Sequence, residues 1–446
     1  MNTLPLLTHT LDESIVAWRA EGPVTRREFL TEVQQLAALL PDSPYLLNMC
    51  SDRYRFSVGL AAAIVSGKIS LLPSTHTPET LRQMRVFAPG VCCLTDSEIP
   101  GLDLPQFAYP HNLSLADASI VVPLIPEQQC TAIVFTSGST GTPQPHTKTW
   151  RALVTSVQAE AARLEWASLP SWNLLGTVPP QHMYGLESTV LMAWQNSHAF
   201  SDAQPFYPAD ICAALEALPA PRVLVSSPLH LRALLDSQLP LPGLAGVISA
   251  TAPLACDLAQ EIETRFAAPL MEIYGSTETG LIASRRPART SQWQLLPGLR
   301  WAVDGEQLRA QGGHVETRVA MSDNIEPLDE THFLLHGRSA DMINIAGKRH
   351  SLDGLNHLIS SLPGVIDGAF FMPDDTGAQV TRLAAAVVAP TLDAERLVAA
   401  LREHLDPVFL PRPLLFVDAL PRNATGKLPR AALQALFTQT GARKTA

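Results

Sequence analysis

The sequence lacks a long apolar run and any recognisable leader. Its longest apolar stretch, from Val58 to Val65, is far shorter than the roughly 20 residues that a membrane-spanning helix needs. The N-terminus has no charged region followed by an apolar run, so no secretory signal is expected. These absences predict a cytoplasmic protein without a membrane span.

Paired cysteines and clustered basic residues are also missing. The six cysteines are scattered, without the Cys-x-x-Cys spacing of a structural zinc site, so we expect reduced thiols. Acidic residues outnumber basic ones by 42 to 32, the net charge is −10, and no basic stripe is visible. Because binding to a phosphate backbone depends on clustered Lys and Arg, nucleic acid is not an expected partner.

Apolar residues are abundant, at 46% of 446, and their pattern predicts an α/β fold. Short apolar runs start near positions 223, 246 and 269, with helix-like stretches between them, which is typical of βαβ units and a parallel sheet. Such sheets, packed between helices, would form a large N-terminal domain over residues 1–337. From about position 338 the pattern changes: strand-like runs surround one clear helix, at 393–404. We therefore expect a hinge at 338–341 and a small, mobile α+β domain over 342–446.

A loop of small and hydroxyl residues follows the apolar run 132–135 and precedes a helical pattern that starts near Trp150. The loop consists of Thr136, Ser137, Gly138, Ser139, Thr140 and Gly141. Small residues let backbone N–H groups converge on an anion, and hydroxyls add donors, so the loop is a candidate polyphosphate site; the alternative is a polar surface loop. It is not a G-x-x-x-x-G-K-[ST] loop, which argues against a kinase or a GTPase.

A second motif, Tyr274-Gly275-Ser276-Thr277-Glu278, ends the third predicted strand. An aromatic face can stack on a nucleobase, glycine permits close approach, a hydroxyl can contact a phosphate and a carboxylate can bind Mg²⁺. The alternative is a turn that only ends a strand. Ligands bind beyond the carboxyl ends of parallel strands, which favours the first interpretation.

Two further motifs lie near and beyond the predicted hinge. One runs from Gly337 to Arg349, and the other runs from Leu420 to Lys427. A Gly-Lys pair on a mobile loop can bring one compact cation to a developing negative charge. A lysine on a C-terminal loop can equally be only solvated.

In this order, and together with Pro180-Gln181-His182-Met183-Tyr184-Gly185 and Ser249-Ala250-Thr251-Ala252-Pro253-Leu254, the four motifs resemble the adenylate-forming superfamily. This superfamily contains acyl- and aryl-CoA synthetases, adenylation domains of peptide synthetases, and luciferases. The resemblance implies ATP and Mg²⁺ as cofactors and an acid–thiol ligase reaction. An acid is converted to an acyl-adenylate with release of pyrophosphate, and the acyl group then passes to a phosphopantetheine thiol.

The resemblance also implies roles for individual residues. The residues implied in ATP or AMP binding are Thr136, Ser137, Gly138, Ser139, Thr140, Gly141, Tyr274, Gly275, Thr277, Asp323, Arg338 and Arg349. The residues implied in catalysis are Lys427, His182 and Glu278, the last as the Mg²⁺ ligand. The acid pocket would involve His182, Ala250 and Gly275, and the thiol tunnel would involve Gly347.

The sequence departs from the superfamily pattern in several places, among them Met321-Ser322, where the family usually has Thr-Gly before the ribose-binding Asp. Gln144 stands where the phosphate loop usually has a lysine, and Ala340 stands at the hinge position. His146 or Lys148 could compensate for the missing lysine, and the sequence leaves this open. The segment 143–150 resembles short AMP-ligases of bacterial aryl-polyene and xanthomonadin-type pigment pathways, which implies a hydroxybenzoate-like acid and an acyl carrier protein. Coenzyme A as acceptor, a fatty acyl-CoA synthetase, and a non-catalytic relative that binds nucleotide or acyl-adenylate remain alternatives.

Overall fold

The structure is a computed structural model of the full chain. It describes residues 2–73, 76–99, 102–110, 113, 121–137, 143–304, 307–338, 342–345, 348–373, 382–405, 407–423 and 426–442.

The strands of these residues, in chain order, are β1 (Thr3–Pro5), β2 (Ile15–Arg19), β3 (Gly22–Thr25), β4 (Tyr45–Asn48), β5 (Ile69–Leu72), β6 (Cys92–Thr95), β7 (Gln106–Ala108), β8 (Leu124–Pro126), β9 (Cys130–Ser137), β10 (Pro143–Thr149), β11 (Asn173–Gly176), β12 (Ala199–Ser201), β13 (Arg222–Ser226), β14 (Gly246–Ser249), β15 (Leu270–Ser276), β16 (Gly280–Arg285), β17 (Trp293–Leu295), β18 (Leu299–Asp304), β19 (Gln307–Gly312), β20 (Val315–Ala320), β21 (Asp323–Pro327), β22 (His332–Arg338), β23 (Met342–Ile345), β24 (Lys348–Ser351), β25 (Asp367–Phe371), β26 (Ala384–Val388) and β27 (Leu414–Phe416). The helices are α1 (Arg26–Leu39), α2 (Arg53–Val65), α3 (Pro78–Phe87), α4 (Trp150–Ala161), α5 (Met183–Gly185), a π-helical segment (Leu186–Leu191), α6 (Met192–Gln195), α7 (Pro208–Ala217), α8 (Pro228–Ser237), α9 (Cys256–Phe266), α10 (Leu352–Ser361), α11 (Ala394–His404), a 3₁₀ turn (Pro407–Phe409) and α12 (Arg430–Ala442).

Two large sheets organise the N-terminal part of the chain. One has six strands in the order β10-β9-β5-β4-β6-β7, all parallel except for β10. The other has eleven strands in the order β21-β22-β17-β16-β15-β14-β13-β11-β12-β2-β3. Its central strands from β2 to β15 are parallel, and the strands beyond β15 run antiparallel. The predicted βαβ series is therefore confirmed, as part of a mixed sheet.

Local sequence explains the main elements of this part. Strands β13 and β14 are almost entirely apolar and buried, as expected for parallel strands that helices cover on both faces. Helix α2 is apolar on nearly all sides and is buried along most of its length. Thr25 is the N-cap of helix α1, and its side chain and that of Glu28 form a reciprocal capping box. Helices α7, α8 and α9 pack their apolar faces against the parallel strands in a shared core.

The C-terminal part has its own sheet and its own core. Strands β25, β26 and β27 form a three-stranded sheet, and α10 and α11 pack apolar residues against it. The predicted helix at 393–404 is confirmed as α11, with Asp393 as its N-cap. Two other helices of this part, α10 and α12, were not predicted, although apolar residues recur along both at helical spacing.

Two expectations near the candidate site need correction. The polar loop that starts at Thr136 leads into a strand, β10, before helix α4 begins at Trp150. The prolines and polar residues of β10 concealed it, because an edge strand tolerates both. Strand β15 also continues through Gly275 to Ser276, so the second motif begins inside the strand and turns into β16.

Candidate active site

The candidate phosphate loop connects two antiparallel strands. Thr136 lies near the end of β9, opposite Gln144 on β10. Helix α4 starts only at Trp150, with Thr149 as its N-cap, so strand β10 separates it from the loop in sequence. The backbone of Ser137 ends β9, whereas the predicted residues Gly138, Ser139, Thr140 and Gly141 lie outside the described residues.

The hydroxyl of Thr136 and the carboxylate of Glu278 both lie close to the imidazole of His146. Nε2 of His146 lies 3.0 Å from the Thr136 hydroxyl oxygen and 3.8 Å from Oε1 of Glu278. Burial lowers the pKa of His146; Glu278 opposes this effect and Lys148 adds to it. Strands β9 and β10, which carry Thr136 and His146, therefore lie next to the Thr277-Glu278 turn.

The carboxylate of Glu278 has the properties of a magnesium ligand. Burial alone would raise its pKa, but hydrogen bonds from its own backbone N–H and from Ser276, together with His146 and Lys148, hold the pKa below the usual value. The side chain is 44% exposed. Among the described residues, no three His, Cys, Asp or Glu side chains gather into a metal cluster. An ionised and accessible single carboxylate fits Mg²⁺, which proteins commonly hold with one or two carboxylates, substrate phosphates and water.

The predicted adenine and ribose residues are in direct contact. The Tyr274 hydroxyl donates a hydrogen bond to Asp323, and the Tyr274 ring packs near Trp293 and Phe333. Strand register pairs Asp323 on β21 with Arg338 on β22. The Tyr274 hydroxyl of β15 thus reaches the paired positions of Asp323 and Arg338 on β21 and β22.

Gly275 is required by close backbone packing. A Cβ atom at this position would lie 2.4 Å from the carbonyl oxygen of Gly280, closer than real Cβ atoms approach. The bulge at Tyr274 and Gly275 in the β15–β16 pairing makes this contact. Any larger residue would push the Thr277-Glu278 turn out of position.

Lys427 belongs to the C-terminal part but lies close to His182 of the N-terminal part. Burial and, to a smaller extent, the positive charge of Lys427 together lower the pKa of His182 to about 4. The preceding residue, Gly426, packs near Leu229 and Ser227, because a Cβ atom there would lie 3.7 Å from Cβ of Leu229 and 3.9 Å from the Ser227 hydroxyl. The Lys427 loop is therefore docked on the junction between β13 and α8.

The pocket expected for the acid lies between His182 and the end of β14. His182 precedes α5 and is partly buried, and its buried Nδ1 has no hydrogen-bond partner among the described residues. Ala250 follows β14 and is buried. Two residues after His182, the hydroxyl of Tyr184 lies 3.0 Å from the carbonyl oxygens of Ser226 and Ile248, at the ends of the neighbouring strands. This hydrogen bonding joins the His182 segment to the sheet.

Of three residues that the sequence analysis names in the hinge region, the structure describes only the backbone of one. Arg349 lies on β24, opposite Asn344 on β23, and its backbone alone is described. Gly347 and Ala340 lie outside the described residues.

Several buried polar residues behind the turn were not predicted as a group. Nζ of Lys148 donates to the carbonyl oxygen of Glu278 at 3.4 Å. Burial raises the pKa of Glu187 to about 7, and that of Glu160 to about 8. Burial lowers the pKa of His314 to about 4, although its contact with the Leu281 carbonyl works in the opposite direction. These residues are far apart in sequence, and no motif spacing connects them.

Comparison with known proteins gives a consistent assignment. The model of the AMP-binding enzyme family matches residues 75–315, and that of the AMP-binding enzyme C-terminal domain matches residues 356–427. The chain is 34% identical over 328 residues to a 4-coumarate–CoA ligase of Halorhodospira halophila, covering 70% of this chain and 77% of the relative. It is 27% identical over 343 residues to a 4-chlorobenzoate–CoA ligase of an Arthrobacter species, covering 68% and 65%.

Solved structures share the same fold. An o-succinylbenzoate CoA synthetase from Bacillus subtilis, bound to its acyl-adenylate intermediate, superposes with a TM-score of 0.80 at 18% identity, covering 97% of this chain and 99% of that chain. The anthranilate CoA ligase AuaEII, bound to anthranoyl-AMP, gives 0.82 at 15% identity, with 98% and 99% covered. In the part of the chain that the structure describes, no helix has the length and apolar character to cross a bilayer. The family match spans more than half of the sequence; the chain therefore belongs to the AMP-binding enzyme family and is a ligase of the acid–thiol class that its named relatives represent.

Proposed function

We propose that the chain activates a small aryl acid of the hydroxybenzoate type with Mg²⁺ and ATP, and then passes the acyl group to a phosphopantetheine thiol. The observation that carries this proposal is that Lys427 lies close enough to His182 to lower its pKa. The residues expected to bind the nucleotide are also in contact with one another, Tyr274 with Asp323 and Thr136 with His146. One cation, one neutral imidazole and one metal-binding carboxylate suffice for the first step.

The first step makes a poor electrophile reactive. A carboxylate oxygen attacks the α-phosphorus of ATP, the bond to the β-phosphate bridging oxygen breaks, and pyrophosphate leaves. Lys427 lies between the attacking carboxylate and the α-phosphate and balances the charge that gathers on the phosphate oxygens. His182, which burial keeps neutral, closes the acid pocket without repelling the cation. Glu278 would hold Mg²⁺, and the ion would supply a second positive charge to the phosphate oxygens.

The remaining predicted residues surround the nucleotide and the thiol. Tyr274 packs on adenine, Asp323 and Arg338 hold the ribose, and Thr277 contacts the α-phosphate. The loop 136–141 and Arg349 bind the other phosphates, and Gly347 lines the entry of the thiol.

The second step needs a different arrangement. A pantetheine thiolate attacks the acyl carbon and AMP leaves, but the Lys427 loop occupies the nearby space during the first step. Rotation of the C-terminal part about 338–341 resolves this conflict. The relatives named as CoA ligases support coenzyme A as acceptor, whereas the likeness of segment 143–150 to pigment-pathway AMP-ligases supports an acyl carrier protein. Cytoplasmic location stays a prediction.

Exchange between ATP and pyrophosphate tests the proposal and distinguishes the alternatives. We expect exchange that depends on added acid, with hydroxybenzoates turned over faster than cinnamates and fatty acids. Thioester formation from the preferred acid, measured with coenzyme A and with a phosphopantetheinylated carrier protein, then identifies the acceptor. Strong exchange with fatty acids alone would replace the aryl assignment by a fatty acyl-CoA synthetase. Nucleotide binding without exchange for any acid would indicate a non-catalytic relative.

A further inference from the structure

Strand β10 directs two basic side chains at a single residue of the site. His146 and Lys148 are two positions apart on the strand, so they lie on the same face of it. His146 reaches the Glu278 side chain, with Nε2 at 3.8 Å from Oε1, and Lys148 reaches the Glu278 backbone, with Nζ at 3.4 Å from the carbonyl oxygen. Both ends of Glu278 are therefore contacted from one strand.

The buried position of Lys148 costs free energy, because its charge is removed from water. Its side chain is nearly buried, with 7% of its surface exposed, and burial lowers its pKa while Glu187, Glu278 and Glu316 raise it. Glu187 is 1% exposed, and burial raises its pKa to about 7 although Lys148 lowers it. Buried ion pairs contribute little net stability, and apolar residues of similar volume commonly replace them without loss. The charge interaction between Lys148 and Glu187 therefore accounts for little net stability.

Glu187 abuts the same turn from the other side. A Cβ atom at Gly280 would lie 3.4 Å from Oε1 of Glu187, so this carboxylate packs directly against the end of the Thr277-Glu278 turn. The turn that carries Glu278 is thus confined between β10 and the π-helical segment, which holds Glu187. Single-turn π-segments are frequent at functional sites.

We propose that His146 and Lys148 are positioning residues that hold Glu278 in place for Mg²⁺-bound ATP, with Glu187 packed against the end of the same turn. This inference rests on the proposed function, and it explains what orients the carboxylate of Glu278. His146 fixes the carboxylate and connects it to the Thr136 hydroxyl, and Lys148 fixes the backbone beneath it. Residues that orient a metal ligand commonly change metal affinity by about 10- to 100-fold when they are replaced.

Nucleotide binding without turnover gives a direct test. The full-length protein is titrated calorimetrically with α,β-methylene-ATP, in Mg²⁺ and in EDTA. The variants are His146→Ala and the pair Lys148→Met with Glu187→Gln; the pair removes both buried charges together, so the fold is expected to remain stable. We expect Mg²⁺ to tighten binding in the wild type, and we expect each variant to lose about 10- to 100-fold of affinity in Mg²⁺ but little in EDTA.

The control is His332→Ala, which removes a histidine of similar exposure that pairs with Asp329 in an exposed turn. It should bind like the wild type in both conditions. Variants that fold, as shown by unchanged circular dichroism, and that keep the full effect of Mg²⁺ would overturn the inference. The same holds if affinity falls equally with and without Mg²⁺, because that pattern indicates a general structural role. Failure of the proposed function has a different signature, namely Mg²⁺-dependent binding without acid-dependent exchange, whereas a wild type that does not bind the analogue would overturn both.

Discussion

Lys427 lies on a loop whose shape is fixed by side chains of its own domain. Arg422 forms two hydrogen bonds with Asp367, both at 2.7 Å, and also donates to the carbonyl oxygen of Gly426. The backbone N–H of Lys427 donates to Oδ1 of Asn423. A bidentate Arg–carboxylate pair is geometrically specific, so the direction of the Lys427 backbone is set before any ligand binds. This preorganisation is what electrostatic stabilisation of a transition state requires.

Replacing Lys427 with alanine should affect the two half-reactions differently. We expect Lys427→Ala to slow acid-dependent ATP–pyrophosphate exchange by at least about 10²- to 10³-fold, because a cation that stabilises the developing charge is lost. Thioester formation from supplied acyl-adenylate should change little, since that step releases AMP and does not need this cation. Rapid-quench assays of each half-reaction measure the two effects. Equal losses in both, or none in either, would contradict the role given to Lys427.

At the scale of single elements, the packing of α4 against the π-helical segment buries an acid. Glu160 of α4 accepts a hydrogen bond from Ser188 at 2.8 Å, and its Oε2 has no partner among the described residues. Burial, mainly, raises the pKa of Glu160 to about 8; the Ser188 hydrogen bond opposes this shift and Glu187 adds to it. In the unfolded chain the same carboxyl ionises near its ordinary pKa of about 4.5. Between pH 4.5 and about 8, Glu160 therefore keeps a proton in the folded state that it has released in the unfolded state.

This difference predicts a pH-dependent effect of Glu160→Gln. A raised pKa in the folded state stabilises the fold below pH 4.5, and this stabilisation is lost as pH rises towards 8. The amide of the variant is neutral at every pH and can accept the Ser188 hydrogen bond. Between pH 4.5 and about 8, the free energy of unfolding of the variant should therefore rise relative to that of the wild type by up to about 1.4 kcal/mol per pH unit. Melting temperatures at pH 5.5, 7.0 and 8.5 measure the difference. Glu395→Gln, in the exposed first turn of α11, is the control, and a constant offset at all three pH values would contradict the prediction.

The elements that the sequence predicted are those whose pattern is local. The runs that became β13, β14 and β15 alternate with amphipathic helices, so hydrophobic periodicity was enough. Strand β10 was missed because Pro143, Gln144 and Pro145 carry no alternating apolar pattern. Residues such as Tyr274 and Lys427 could be identified because short motifs carry them. The hydrogen bond of Lys148 to Glu278 and its charge interaction with Glu187 depend on strands and helices that are distant in sequence, and only the folded chain brings them together.

At the scale of the whole molecule, the two parts of the chain meet at the candidate site. The Lys427 loop packs on the β13–α8 junction. Burial lowers the pKa of His357 on α10; Arg285 of the large sheet adds to this effect and Asp257 of α9 opposes it. This arrangement suits the first step, in which the cation and the nucleotide must be adjacent. If the second step requires the C-terminal part to move away, then holding the parts together should separate the two reactions.

A disulfide across the contact between the two parts tests this separation. The Cβ atom of Leu229 lies 3.7 Å from the position of a Cβ at residue 426, within the usual range for a disulfide. We expect oxidised Leu229→Cys/Gly426→Cys protein to retain acid-dependent exchange and to lose at least about 10-fold in overall thioester formation, because the C-terminal part can no longer rotate. Dithiothreitol should restore the second reaction.

The comparison of the oxidised with the reduced form of the same double variant is the essential control. Residue 426 has a φ of +77°, so a cysteine there is strained and lowers activity in both redox states. The ratio of thioester formation to exchange cancels that loss, and the single variant Leu229→Cys reports any effect of oxidation on the six native thiols. A ratio that stays the same on oxidation, with the disulfide verified by mass spectrometry, means that both reactions proceed in the docked arrangement. The conflict between the Lys427 loop and the incoming thiol would then have to be resolved within the loop, by movement of Lys427 alone.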